Sequence, residues 1–360
     1  MSVFGTYRNA VRHPGRLGAP VVDPAAWEPE ELLARDDWIY RLTEEDLAEL
    51  ADAVRGARDK GLDMVELTKA EFPLPRFGAV LAEVRAELMN GRGLAVLRGL
   101  PVAAMAREDA ALAYFGIGTH LGRPISQNAY GHFLGHVRDF GKSFEDASVR
   151  GYQSSAALGF HADHCDFVGL LCMQTSKSGG ESRVASAVTL YNRLLAARPD
   201  LVEVLGRDFY WTRHGEVPPG RPPYYTQPVF SFEKGYFSAR GVSSYILKAQ
   251  GLPGVPPFTP EQEEAMALFR ETVPRCAADI AFERGDIQLL HNHVILHSRN
   301  AFEDWPDPQR KRHLYRLWLT AGEDARPVPP AVRESFSGIR VAGYAPKVVV
   351  DPEQADEALV

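Results

Sequence analysis

The apolar positions of this chain change period near residue 93. Upstream they recur every three to four residues: Leu47, Leu50, Ala51 and Val54 form one stripe, and Phe77, Val80, Leu81, Val84 and Leu88 another. That spacing places side chains on one face of a helix. Thr43 reads as the N-cap of the first helix with Asp46 at its third position, and Asn90-Gly91 stops the second. Downstream, short apolar runs bounded by glycine or acid read as buried strands: Gly93 to Leu100, Val168 to Met173 and Asp286 to Leu290. A helix is expected near Ala187 to Ala197, and another opens at Thr259-Pro260-Glu261-Gln262, where Thr caps, Pro fills the first turn and Gln closes a capping box. Short strands separated by Gly and Pro suit an antiparallel barrel or jelly roll better than alternating βα units. The expected class is therefore α+β with a mainly β core.

Organisation follows from the same pattern. Residues 1–40, rich in Pro, Gly and Arg, are expected to wrap the surface as an irregular arm. Residues 41–320 form the main domain, with its barrel core from about 91, and 321–360 form a C-terminal extension packing on that core, with Ile339 to Val350 as an edge or tail element. With 360 residues, 45% of them hydrophobic and 24% charged, the chain can bury a large core, and no low-complexity linker divides it. A net charge of −7 disfavours a broad nucleic-acid footprint. Apolar runs fall far short of the roughly 18 residues a membrane span needs, and the N-terminus lacks a signal-peptide core. Cys165, Cys172 and Cys276 make neither a disulfide framework nor a zinc spacing and suit a reducing cytoplasm. A homo-oligomer is compatible with all of this.

The candidate chemistry lies in two overlapping triplets, His161-x-Asp163 and His164-x-Asp166. One such triplet is weak, since composition alone gives roughly 0.6 of them. On a strand, residues two apart share a face, so each triplet can chelate while the two point opposite ways. The apolar lead-in Leu158-Gly159-Phe160 favours His161 and Asp163; His164 and Asp166 then read as a supporting or solvent-facing pair. Farther on, His291, His293 and His297 share a face if the stretch stays extended, and spacing does not choose among them. Two imidazoles and a carboxylate bind one face of octahedral Fe(II) and leave three positions open, although zinc sites use the same donors.

Four pieces in order resemble the taurine dioxygenase/clavaminate synthase-like family of Fe(II)- and 2-oxoglutarate-dependent oxygenases. They are Phe160-His161-Ala162-Asp163, the turn Ser178-Gly179-Gly180-Glu181-Ser182, Asn292 with His297, and Arg312-His313-Leu314-Tyr315-Arg316. The resemblance implies a double-stranded β-helix (jelly roll, cupin-like) with flanking helices, and selects His297 as the distal ligand beside His161 and Asp163. It implies that Arg312 and Ser182 hold the far carboxylate of 2-oxoglutarate, a role that suits arginine's planar fork better than lysine. It implies that Arg316, on the same strand face as Arg312, meets an acidic group of the substrate. The activity implied is oxidation, by default hydroxylation, of a small anionic or zwitterionic metabolite such as an amino acid derivative, with O2 consumed and succinate and CO2 released. Asp163 argues against halogenation, for which relatives open the carboxylate position. The competing readings are an inert metal- or 2-oxoglutarate-binding sensor and a zinc hydrolase. The aromatic and basic segment Phe209 to His214, with Tyr224, Tyr225 and Arg240, is a candidate lid.

Overall fold

The computed structural model describes residues 3–4, 11–141, 153–339 and 344–355. Parts of the expected arm (1–2 and 5–10) and of the C-terminal extension (340–343 and 356–360) lie outside the described residues.

Both amphipathic helices form. Glu44–Asp59 starts at Thr43, whose Oγ accepts from the Asp46 amide at 3.2 Å while the Asp46 carboxylate accepts from the Thr43 amide at 2.9 Å. Phe77–Asn90 ends at Gly91. Between them and the sheets lies Arg107–Leu121, for which the pattern gave no signal. From Ala110 to Gly118 every residue of it is buried, so it has no polar face to reveal a helical period. Its Gly116 is forced by packing: a Cβ there would stand 2.4 Å from the Phe72 ring.

The β core consists of two sheets. The larger runs Ile39–Arg41, Leu94–Arg98, Ile287–His291, Phe167–Gln174, His313–Thr320, Arg123–Pro124, with Leu134–Val137 also paired to His313–Thr320. All its pairings are antiparallel except the first. The smaller runs Ala277–Ile280, Ser182–Ser186, Ile295–Arg299, Leu158–His161, antiparallel throughout. Alternate residues of the large sheet serve different cores. Val168, Leu170, Leu314 and Trp318 face the small sheet, whose Val184, Ala185, Leu296 and Ala278 join the same apolar cluster. Phe167, Leu171, Tyr315 and Leu317 face the helices instead. The architecture is thus mixed α+β: three helices, a large sheet and a small sheet in layers. The later helices Ala187–Ala197, Pro199–Leu205 and Pro260–Thr272 pack on one another, the first also on the small sheet.

The N-terminal segment is more than a surface wrap. It contains the short helix Pro29–Leu33 and the edge strand Ile39–Arg41, and it buries Trp27 and Trp38. The Trp27 indole N–H donates to the Arg92 carbonyl at 3.0 Å. Asp23 pairs with Arg326 of the C-terminal segment at 2.7 Å, both almost wholly buried. These contacts are long-range and aperiodic, so no local pattern announces them. Among the described residues, no helix is long and apolar enough to cross a membrane.

Candidate metal centre and its cavity

His161 ends the strand Leu158–His161 and is the direct cross-strand partner of His297 on Ile295–Arg299. The register therefore brings the two rings together, with centroids 4.3 Å apart. Asp163, two residues on, places Oδ1 4.0 Å from His161 Nε2 and Oδ2 3.8 Å from His297 Nε2. One donor atom from each residue lies within 4.8 Å of the others. His291 and His293 belong elsewhere.

The backbone around these donors is held firmly. His161 Nδ1–H donates to the Gly159 carbonyl at 2.9 Å, which leaves the Nε2 lone pair facing Asp163. Asn292 ties the two halves of the motif: its Oδ1 accepts from the Asp163 amide (3.3 Å) and its Nδ2 donates to the Cys165 carbonyl (3.0 Å). Arg240 donates to the Asp163 carbonyl at 2.7 Å. Burial pushes His297 down to about 3 and lowers His161 as well. Burial would raise Asp163, but Arg316 above all, with the two imidazoles, holds the carboxyl below its usual range. At neutral pH the trio therefore offers two neutral nitrogens and one anionic oxygen, the protonation state a divalent ion requires. Asp163 Oδ2 is buried with no hydrogen-bond partner. Such an orphan costs free energy unless something binds it, so the donor set fits a metal.

The trio opens onto a cavity of ≈ 310 Å³. Arg240, Lys248, Arg270, Arg299, Arg312 and Arg316 line it, against Asp163 as the one lining carboxylate among the described residues. Arg312 donates from Nη2 to the Gly180 carbonyl at 3.2 Å, while Nη1 is buried without a partner. Gly180, at φ +77, is the residue of the Gly-Gly turn that lets this guanidinium in, since a Cβ would lie 3.0 Å from Arg312 Nε. Ser182 reaches the same cavity, its hydroxyl donating to Gln288 Oε1 at 2.8 Å. Arg312, Leu314, Arg316 and Trp318 all face in, as strand alternation requires. Arg316 Nη1 lies 3.4 Å from Asp163 Oδ1, and its Nε donates to Gln127 Oε1 at 2.8 Å.

Comparison with known proteins agrees with this geometry. Residues 60–318 match the model of the family described as taurine catabolism dioxygenase TauD, TfdA family. The chain belongs to that family. It is a non-heme Fe(II)- and 2-oxoglutarate-dependent dioxygenase. The chain is 32% identical over 335 residues to the FR-33289 synthase of Streptomyces rubellomurinus, covering 91% of this chain and 97% of that one. It is 30% identical over 335 residues to the taurine hydroxylase-like protein SAT17 of Stachybotrys chartarum, covering 89% and 85% respectively. Similar in fold are asparagine oxygenase with Fe(II), 3-hydroxyasparagine and succinate (TM-score 0.62, 19% identity, 85% of this chain and 100% of that one) and the iron oxygenase OrfP with Fe and α-ketoglutaric acid (TM-score 0.56, 17% identity, 79% and 93%). Family membership decides against the zinc hydrolase.

Within this dioxygenase the second triplet has a separate life. Asp166 is fully buried and accepts from His293 (2.8 Å), Arg333 (2.7 Å), Thr320 Oγ (3.0 Å) and the Ala321 amide (2.9 Å). His164 stands apart from it in the cavity wall, stacked on Trp318 with centroids 5.9 Å apart. His291 packs against Phe167. The candidate lid is mostly interior: Phe209 and Trp211 are core residues, and Asp208–Thr212 pairs with Tyr224–Pro228. From that group His214 and Arg240 line the metal cavity, Arg240 with its guanidinium 4.7 Å from the Phe336 ring centroid. Sequence reasoning passed over Arg299 and Gln127. The first carried a usable signal, since it lies two residues beyond His297 on a strand and must share its face. Gln127 gave none, being brought to Arg316 by pairing across 189 positions.

Proposed function

We propose that this dioxygenase hydroxylates an unactivated C–H of a small anionic or zwitterionic metabolite, such as an amino acid derivative. The observation that carries the reading is the charge of the cavity. Among the described residues, six cationic side chains line it with one carboxylate, and that carboxylate belongs to the proposed metal trio. A divalent ion would add more positive charge, and 2-oxoglutarate brings two negative charges. The remaining cations favour an anionic group on the substrate, where a water-poor wall strengthens the attraction. Solved structures of similar fold carry hydroxylated amino acids, 3-hydroxyasparagine and dihydroxy-arginine, which supports a zwitterionic substrate.

In this reading His161, Asp163 and His297 hold the iron, and the facing sheets are the double-stranded β-helix that carries them. Bound iron, with 2-oxoglutarate and O2, supplies the oxidising power. The protein's part is placement. Arg312 takes the far carboxylate of 2-oxoglutarate by its unspent donor, with Ser182 alongside once its hydroxyl turns from Gln288. Arg316 stands next to the metal ligand Asp163, so an anionic substrate group held there keeps a neighbouring carbon close to the iron. Anaerobic Fe(II) with 2-oxoglutarate should give a weak visible charge-transfer band, and air should then yield succinate; an inert sensor gives no succinate. A metabolite screen scored by succinate release identifies the substrate. Arg316→Gln should then weaken its binding while leaving substrate-free 2-oxoglutarate turnover in place. A neutral best substrate, or unchanged binding by Arg316→Gln, rejects the anionic pocket.

A further inference from the structure

A second arginine stands beside the co-substrate anchor with two buried donors unspent. Arg299 is 4% exposed and lines the metal cavity. Its Nη2 donates to the carbonyls of Ser154, at 2.8 Å, and Ala156. Its Nε and Nη1 are buried with no hydrogen-bond partner. Buried guanidinium groups are normally paired with a carboxylate. Arg92 with Glu87 and Arg326 with Asp23 follow that rule here. Arg299 has no such ion pair among the described residues.

Three relations place Arg299 with the anchor. Its cross-strand partner is Ser182, and directly opposed residues of an antiparallel pair project to the same side. Arg299 and Arg312 both lie against one ring, their guanidinium carbons 4.7 and 5.2 Å from the Phe302 centroid. Arg312 likewise keeps one buried nitrogen without a partner. Both guanidinium groups lie against the same ring, so their like charges repel. A carboxylate placed between them removes the repulsion and fills the empty donors.

We infer that Arg299 is a binding residue for 2-oxoglutarate, sharing its far carboxylate with Arg312 in a two-arginine clamp beside Ser182. This rests on the role proposed for Arg312, so both arginines are tested side by side. The alternative role for Arg299 is to tether residues 154 and 156 through their carbonyls, and the assay must separate the two. Mn(II)-loaded protein is titrated by calorimetry, without O2, with 2-oxoglutarate and with 2-oxovalerate, a keto acid of equal length whose far end is a methyl group. The parent should prefer 2-oxoglutarate strongly. Arg299→Gln should lower the 2-oxoglutarate affinity roughly tenfold or more, as expected for loss of a charge-assisted contact, and leave 2-oxovalerate unchanged, so that the preference shrinks by the same factor. Arg312→Lys should act on the same ratio. If Arg299→Gln weakens both keto acids equally, or neither, the clamp is overturned and Arg299 is a tether. If Arg312→Lys leaves the ratio intact, the anchor itself lies elsewhere. Should Arg299→Gln fail to take up Mn(II), Arg299→Lys gives the same reading, because lysine keeps the charge but not the fork: a reduced ratio supports the clamp and a parental ratio rejects it.

Discussion

The two His-x-Asp triplets are three residues apart and offer the same pair of donors, yet the fold treats them in opposite ways. Asp163 is left with a buried oxygen that has no hydrogen-bond partner, facing two imidazoles that burial keeps neutral. Asp166 accepts four hydrogen bonds and closes a network of His293, Arg333, Thr320 and Ala321. The first is poised for an ion and the second is already satisfied. A site for a ligand shows itself by polar atoms that the chain does not complete, and a structural centre by atoms that it does.

Breaking each centre should therefore give different losses. His161→Ala, Asp163→Ala and His297→Ala should each abolish iron-dependent succinate formation, since each removes one of the three donors proposed to hold the iron; anaerobic iron titration with a succinate assay measures this. Any of the three that retains full turnover removes its residue from the ligand set. Asp166→Ala should cost stability instead, about 3–5 kcal/mol, because it strands His293 and Arg333 in a buried network. Its denaturation midpoint in metal-free protein reads that loss, and an unchanged midpoint would erase the contrast between the two aspartates.

A smaller effect comes from pH. Burial pushes His293 down to about 4 and His291 and His313 well below the ordinary histidine range. Unfolded histidines take up protons near pH 6.5, whereas these native ones do not until far lower. Between about pH 6.5 and 4 the unfolded state thus binds more protons, and stability should fall as pH falls, by about 1.4 kcal/mol per pH unit for each such histidine. Asp166, held low against its burial by its bond to His293 and by Arg333, adds its own loss only below the usual aspartate range near pH 3.9. Urea titrations at several pH values test this, and a flat profile from 6.5 to 4.5 would contradict the buried, neutral state of His291, His293 and His313. The smallest effect is expected from His164→Ala. It should keep iron and 2-oxoglutarate affinity within about twofold, because His164 is not one of the three clustered donors and its ring packs on Tyr245 and Trp318. Loss of iron binding by this variant, with His161→Ala still active, would show that the ligand face is the other one.

Much of the site was legible because its chemistry is local. Strand alternation put His161 with Asp163 and Arg312 with Arg316, and cap chemistry placed the helices at Thr43 and Thr259. The helix Arg107–Leu121 was illegible because it is buried all round, and the N-terminal segment because its tryptophans pack against residues distant in sequence. The segment around Phe209 to His214 suggested a lid by composition, but composition does not say which side of a strand meets the core.

What the sequence determined by itself was the set of donors and its order along the chain: imidazole, carboxylate, Gly-Gly turn, imidazole, arginine. What it left open was which histidine joins the first pair and which arginines share the cavity. Those choices depend on register. His297 faces His161, Arg299 faces Ser182, and Asp166 meets Arg333 because strands and segments more than a hundred residues apart pair at particular positions. A slip of one residue would turn every such side chain to the other face, so the closing of the sheets decides which histidine and which arginines meet the first triplet.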